Sequence, residues 1–478
     1  MINKINPEII FQARPAAQPG AHAPSGFISP EYDEKIVSKQ IKDFVHCESM
    51  SLIELESYKL TKLCELLVEA GTNVPYWRSL FKKIGFEPQA IKSINDIEEL
   101  PLLNKDIIKE NYKDFISEKV DLETVTYMTT GGSTGSPLKI LMDREYRSRN
   151  HAATRYYLTK AGITPGVERG VRLHGNTIPK DVTNNGEFWI DEGNRLTMSV
   201  SDISMDTCSE YMKAIRAFKP NYIHAYASAL TLLINYAEQK NEKFPTCIKN
   251  IFCDSETTYA WQRELILKSM DVSFYNIYGH TEGAGMAITF PDSNSLEAMP
   301  IGIMEILDSS GNVLTKAGDE GEIVVTGFNN KIMPFIRYQT FDMAVVGSTN
   351  KRNLRPFRPI ISSIKGRMQD YLVANDESLV PAAPILFDYN FDWTGVELFQ
   401  VFQKLPGSLE FKIVPSAYFN VNKDKLKNKI ITEFSKLFGY KFVIKVSFHK
   451  NIPTTNRGKY RYVDQRLKIS LSQGVSWS

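Results

Sequence analysis

Five segments of this chain bring together residue types that can do chemistry. The first is Thr129, Thr130, Gly131, Gly132, Ser133, Thr134, Gly135, Ser136 and Pro137, followed by Lys139. Small residues let a backbone approach an anion closely, and hydroxyls with free N–H groups can wrap phosphate oxygens. It is not a Walker loop, because no Lys-Ser or Lys-Thr follows the last glycine at the required spacing. A flexible surface loop has the same composition, but structured apolar sequence flanks this one on both sides. The second segment is Tyr275-Asn276-Ile277-Tyr278-Gly279-His280-Thr281-Glu282-Gly283. It reads as a buried strand that ends in a turn, the position at which open α/β sheets place their ligands. Tyr278 has a ring to stack on a base, Thr281 a hydroxyl for a phosphate, and Glu282 a hard oxygen for a magnesium ion. The competing reading is an ordinary turn with a solvated Glu282.

The third segment, Ile336-Arg337-Tyr338-Gln339-Thr340-Phe341-Asp342, ends in a carboxylate that can accept both hydroxyls of a ribose. The fourth is Lys365-Gly366-Arg367-Met368-Gln369-Asp370, and the fifth Pro453-Thr454-Thr455-Asn456-Arg457-Gly458-Lys459-Tyr460-Arg461. Each of these, taken alone, also fits a solvated charged turn.

Composition narrows the classes. With 42% hydrophobic and 23% charged residues, the 478-residue chain is globular and not disordered. A formal net charge of +2 gives nucleic-acid binding no electrostatic support. No run of about 18 apolar residues exists to span a membrane, and the N-terminus lacks the apolar core of a signal peptide, so a cytoplasmic location is expected. Five cysteines, Cys47, Cys64, Cys208, Cys247 and Cys253, lie singly and form no C-x-x-C pair. They read as reduced core residues and not as a disulfide framework or a zinc site.

The elements that must hold these segments follow from periodicity. Residues 12–30 are rich in Pro, Ala and Gly and read as a flexible arm. Leu60, Leu63 and Leu67 share a helix face, with Gly71 as a stop. Between 206 and 290, helical faces (Met212, Ile215, Phe218; then Leu230, Leu233, Ile234, Ala237) alternate with apolar runs at 221–227, 248–253 and 273–278. Strands separated by helices imply parallel sheet. From about 300 the pattern becomes antiparallel β, through Ile301 to Leu307, a turn and GEIVVTG. After 366–370 a small α+β unit begins, with Leu409, Phe411 and Ile413 on a strand and Leu426, Ile430 and Phe434 on a helix. The expected class is α/β, with an arm at 1–30, a large domain over 31–368 of mixed and parallel sheet with a β-rich subdomain, and a small mobile α+β domain over 369–478.

Taken together and in this order, the five segments resemble those of the adenylate-forming superfamily, which contains acyl-CoA synthetases and adenylation domains. The short phosphate loop, the I-R-Y segment before Asp342 and the spacing are most similar to the phenylacetate–CoA ligase branch, which includes capsule-biosynthesis relatives. The resemblance covers about residues 75–465 and implies ATP and Mg²⁺ as cofactors. It implies a phosphate loop at Thr129 to Gly135, an adenine pocket lined by Ser255 and Glu256, and Tyr278 over the base. Thr281 then contacts a phosphate, Glu282 binds magnesium, and Asp342 and Arg367 contact the ribose. Lys459 bridges the substrate carboxylate and the α-phosphate, and Gln369 is the hinge about which the small domain turns.

Departures from the family pattern are local. Asp254-Ser255 stand where Gly-Ala or Gly-Gly is usual, and Tyr-Gln-Thr-Phe-Asp replaces Tyr-Arg-Thr-Gly-Asp. The hinge carries Gln369 in place of Asp or Lys, and the loop after it lacks the usual Gly. The implied reaction joins a carboxylate to AMP, releases pyrophosphate and passes the acyl group on. Coenzyme A is the family's commonest acceptor; an amine or a separate carrier protein stays open. The acid pocket is expected around 221–228 and 278–286, with His224, Tyr226, Gly279 and His280 as candidates and nearby alanines leaving room for an aryl or short acyl group. For His224, a hydrogen-bonded core histidine is the alternative. A monomer or homodimer is expected. The competing class is a non-catalytic nucleotide-binding relative, against which the joint presence of Glu282, Asp342, Arg367 and Lys459 argues.

Overall fold

The computed structural model describes residues 14–15, 32–120, 125–129, 138–164, 166–173, 188–200, 202–290, 293, 295–348, 359–367, 371–382, 386, 391, 393, 395–415, 422–453, 460–470 and 474–476. Within the expected arm, Arg14–Pro15 form a two-residue strand, β1, that pairs parallel to β2 (Thr126–Thr129). β2 pairs antiparallel with β3 (Lys139–Met142).

Helices α1 (Glu34–Ser49) and α2 (Leu52–Asn73) open the large domain. A capping box between Ser51 and Glu54 starts α2 by satisfying two backbone donors at once. The helix does not stop at Gly71 as periodicity suggests; it continues to Asn73 and ends before Pro75, which opens α3 (Pro75–Ile84). Gly71 is there for space, since a Cβ would sit 3.0 Å from the Phe81 ring. Short α4 (Lys105–Glu110) follows, and α5 (Arg144–Lys160) packs against α1, with Phe44 edge-on to Tyr156.

The large sheet has 12 strands among the described residues, in the order β12-β13-β14-β15-β11-β10-β9-β8-β7-β4-β6-β5. One limb is parallel: β4 (Gly170–Leu173), β6 (Arg195–Met198), β7 (Tyr222–Ala225), β8 (Asn250–Asp254) and β9 (Ser273–Gly279), with β5 (Trp189–Asp191) antiparallel at its edge. α6 (Cys208–Phe218), α7 (Ala227–Gln239) and α8 (Ala260–Ser269) form its crossovers, as the alternation of periods required. Their apolar faces, Met212, Ile215, Leu230, Leu233 and Ile234 among them, are buried against Ile223, Ile251 and Phe274.

The other limb is antiparallel: β10 (Met286–Thr289), β11 (Leu296–Ala298), β12 (Gly302–Leu307), β13 (Glu320–Gly327), β14 (Tyr338–Val346) and β15 (Ile360–Arg367). In sheet order β14 lies four strands from β9, roughly 19 Å in a flat sheet at about 4.8 Å per strand. Yet the Tyr278 hydroxyl of β9 reaches Asp342 of β14 at 2.8 Å. The sheet therefore curls back on itself. Two glycines permit the close approach: a Cβ on Gly302 or Gly327 would collide with Ala284, in the turn after β9.

The small C-terminal domain has its own core. β16 (Tyr371–Val373) and β17 (Leu379–Pro381) make a ribbon; β18 (Val396–Leu405), β19 (Ser408–Pro415), β20 (Val443–Phe448) and β21 (Val463–Gln465) make a sheet in the order β20-β19-β18-β21. α9 (Lys423–Leu437) lays Leu426, Ile430 and Phe434 on it, at about 2 kcal/mol for each side chain buried. Gln403 and Gln465 tie β16 to this sheet. Gln403 accepts from Val373 N at 2.8 Å and donates to Val373 O at 2.8 Å, and Gln465 donates to Tyr371 O at 2.8 Å. The domain touches the large one through Tyr236, which donates to Glu397 at 2.9 Å, through Tyr462 edge-on to Tyr259 and Trp261, and through Tyr371 bonded to Glu320.

Candidate functional site

The carboxyl ends of β7, β8 and β9 are adjacent, because Ala225 pairs with Cys253 and Asp254 with Ile277. They carry His224, Tyr226, Ser255, Glu256, Tyr278, Gly279 and His280. Three loops that are far apart in sequence thus share one edge, where parallel sheets bind ligands.

At the end of β9, Glu282 is only 8% exposed and is held at three points. The Tyr338 hydroxyl donates to Oε1 at 2.8 Å, His280 Nδ1 lies 3.2 Å from Oε2, and the Tyr146 hydroxyl donates to the main-chain carbonyl at 2.9 Å. Burial pushes the Glu282 carboxyl up, but hydrogen bonding and charge from His280, with the Tyr338 bond, outweigh it and hold the carboxyl at about 2. Gly283, at φ +60°, continues the turn; a Cβ there would strike Tyr146 and Asn150. Asn150 in turn accepts from Asn329 at 2.8 Å.

This environment fits a magnesium ion. Glu282 is an ionised, buried carboxylate, and Tyr338 supplies a neutral hydroxyl. Among the described residues no three His, Cys, Asp or Glu side chains group closely enough to cage a metal by themselves. One carboxylate completed by substrate oxygens is the usual arrangement for magnesium.

Asp342 sits opposite Arg367 in the β14–β15 register, so the two residues expected at a ribose are cross-strand neighbours. Asp342 also accepts from Tyr278, which anchors that ring at the mouth of β9. Glu256 is differently engaged: its carboxylate accepts from Ser228 N at 2.5 Å and Ser228 Oγ at 3.0 Å, capping the start of α7 where the helix dipole is positive. Ser255 beside it has φ +66°. His224 Nε2 lies 2.9 Å from Asp254 Oδ2, the partner that a hydrogen-bonded core histidine requires, while Tyr226 is buried at the start of α7. Thr281 is half-buried in the turn.

The departures from the family pattern acquire physical reasons. Gln339 Nε2 donates to Glu322 at 3.0 Å, and Phe341 N donates to the same carboxylate at 3.1 Å. Phe341, which stands where the family pattern has glycine, is left-handed at φ +58°. Burial, and to a lesser degree the charge of Asp342, push the Glu322 carboxyl up to about 7 despite these two bonds. Arg337, beside the motif, is spent on structure: it bonds Glu305 at 3.0 Å and the carbonyls of Glu98 and Leu100, each at 2.9 Å.

Thr130, Gly131, Gly132, Ser133, Thr134, Gly135, Gln369 and Lys459 lie outside the described residues, as do the side chains of Thr129 and Arg367. Sequence reasoning missed Tyr146 and Asn150. Their signal was a polar pair four apart on α5, which puts both on one face.

The C-terminal part of the chain, residues 386–466, matches the CapK C-terminal domain model. Over 437 residues it is 24% identical to protein CapK of Staphylococcus aureus, covering 90% of this chain and 92% of that protein. It is also 24% identical to a phenylacetate-coenzyme A ligase of Aromatoleum evansii, covering 71% of this chain and 76% of that enzyme. A solved structure of 2-hydroxyisobutyryl-CoA ligase in complex with 2-HIB-AMP superposes with a TM-score of 0.68 over 92% of this chain and 94% of that one, at 16% identity. The fold is that of the adenylate-forming ligases. Its sequence relatives include phenylacetate-coenzyme A ligases and protein CapK.

Proposed function

We propose that this chain activates an organic acid, aryl or short acyl, as its acyl-AMP with release of pyrophosphate, and then transfers the acyl group to a thiol, coenzyme A first among acceptors. The observation that carries the reading is the convergence of Glu282 and Tyr278 from one segment with Asp342 from another, at one edge of the curled sheet. Two anions must meet there, and their repulsion is the barrier to be lowered. Glu282 would hold a magnesium ion, which when bound would supply positive charge to the triphosphate. Thr129 to Gly135 wrap the phosphates with N–H and hydroxyl donors, Tyr278 covers the base with Ser255 and Glu256 beside it, and Asp342 with Arg367 fixes the ribose. Lys459 brings a cation to the α-phosphate and the attacking carboxylate. Holding the reactants in line then does much of the remaining work. Thr281 donates to a phosphate oxygen, and His224, Tyr226 and Gly279 border the acid. Rotation at Gln369 withdraws Lys459 and opens a path for the thiol.

An amine or carrier-protein acceptor is the second reading. A D-alanine–D-alanyl carrier protein ligase of Lacticaseibacillus casei is 26% identical over 208 residues, 36% of this chain and 41% of that enzyme. Pyrophosphate exchange measured over a panel of aryl, short-chain and amino acids tests the first half-reaction. Acid-dependent exchange supports the activity, and exchange with no acid on the panel overturns it. Trapping of acyl-AMP with coenzyme A, a phosphopantetheinyl carrier or an amine then separates the acceptors.

A further inference from the structure

Glu282 is gripped unequally. Its Oε1 accepts at 2.8 Å from Tyr338, on a strand across the curled sheet, while Oε2 faces His280 Nδ1 at 3.2 Å within the same turn. The first distance is usual for an O–H···O bond, and the second is the far end of the N–H···O range. Side-chain exposures of 6% for His280 and 10% for Glu282 place the pair out of solvent. The other imidazole nitrogen, Nε2, is buried and makes no hydrogen bond. Its ring lies 6.3 Å from that of Tyr278 and 6.5 Å from that of Tyr338.

These facts constrain the ring. Nε2 has no partner, so Nδ1 is the ring nitrogen through which His280 meets Oε2. Of the two carboxylate oxygens, Oε2 is the one whose contact is longer and comes from within its own turn. It is the oxygen that can be surrendered without moving a strand.

We propose that His280 is a positioning residue for the metal–nucleotide complex: through Nδ1 it orients Oε2 of Glu282 and yields that oxygen to the cation, while Tyr338 keeps Oε1. This rests on the reading of Glu282 as the magnesium residue. It gives His280 a task different from lining the acid pocket, because its one bonded nitrogen is turned to Glu282.

Three substitutions separate the possibilities. His280→Asn keeps a donor where Nδ1 stands, His280→Gln moves it to where Nε2 stands, and His280→Ala removes it. Two quantities are read on each full-length variant: Mn²⁺ affinity by electron paramagnetic resonance with a non-hydrolysable ATP analogue, and half-saturating Mg²⁺ in pyrophosphate exchange. Partners of a metal-binding side chain change affinity by about 10-fold or more. Gln and Ala should therefore weaken both readings about 10-fold, Asn should restore them to within about 3-fold, and KM for the acid should stay put. Equal behaviour of the three variants, or a shift in KM for the acid with unchanged metal dependence, overturns the proposal. A loss of thermal stability shared by all three marks a structural role and also overturns it. If the wild-type protein exchanges pyrophosphate with no acid, the proposed function fails, but the Mn²⁺ titration still judges His280.

Discussion

The large and small domains each bury a polar centre, and they do so with opposite chemistry. In the large domain that centre is built on three carboxylates, Glu282, Asp342 and Glu322, all under 9% exposed, with the Gln339 amide beside Glu322. In the small domain they are amides: Gln400, Gln403 and Gln465, under 8% exposed. The amide centre is closed, since Gln403 and Gln465 bond to each other at 2.6 Å and to the backbone of β16. A neutral network that satisfies every partner costs little to bury and holds a strand in place. Buried carboxylates are worth keeping where an oppositely charged partner arrives during turnover. The small domain, 369–478, holds 15 Lys and Arg against 10 Asp and Glu, in a chain whose total is +2.

The sharpest way to break this contrast is to remove the small domain's proposed contribution to the site. Lys459→Ala should lower adenylate formation about 10²- to 10³-fold, the usual loss when one group stabilising developing charge is deleted. ATP binding, which the large domain supplies, should change little. Stopped-flow pyrophosphate release with parallel equilibrium binding checks both, and near-normal release would remove Lys459 from the mechanism.

Next in size is the effect of giving one carboxylate a permanent cation. Glu322, pushed up to about 7 by burial, binds its proton more tightly folded than unfolded. Its contribution to stability is full below about 4.5 and is lost as pH rises through 7, about 3 kcal/mol in all. Gln339→Arg restores the family's cation beside it and should flatten this slope. Denaturant melts at pH 5 and pH 8 measure it; equal slopes in the two proteins would show that Glu322 is not the titrating group.

The amide centre is tested by Gln403→Ala, which strands both polar groups of Val373 and the Gln465 amide. The loss should be about 2 kcal/mol, confined to the small domain. Hydrogen exchange should show faster opening of β16 and β18 with the large sheet unchanged. Uniform acceleration across the molecule would contradict an independent core.

The smallest effect belongs to the contact between domains. Tyr236→Phe deletes the 2.9 Å bond to Glu397 and should cost about 1 kcal/mol of interface. Proteolysis between the domains should quicken slightly while the melting of each stays the same.

Much of this molecule was legible in its sequence because the relevant physics is local. The alternation of 3.6- and 2-residue periods between 206 and 290 gave the parallel limb, since a strand buried on both faces and an amphipathic crossover each leave a pattern within a few residues. The small domain was readable for the same reason: Leu426, Ile430 and Phe434 form one buried helical stripe. Motif order yielded Glu282, Tyr278 and Asp342 as candidates. The end of α2 was misread because a glycine at a helix end and a glycine making room for Phe81 look identical in one dimension. What only the tertiary structure decided were the partners. Tyr338 reaches Glu282 and Tyr278 reaches Asp342 across 56 and 64 residues, because the sheet curls over glycines at 302 and 327. Glu256 turns to cap α7, Gln339 finds Glu322, and His280 spends one nitrogen and leaves the other unbonded. Those outcomes depend on distances between segments far apart in the chain, which side-chain type and spacing do not encode.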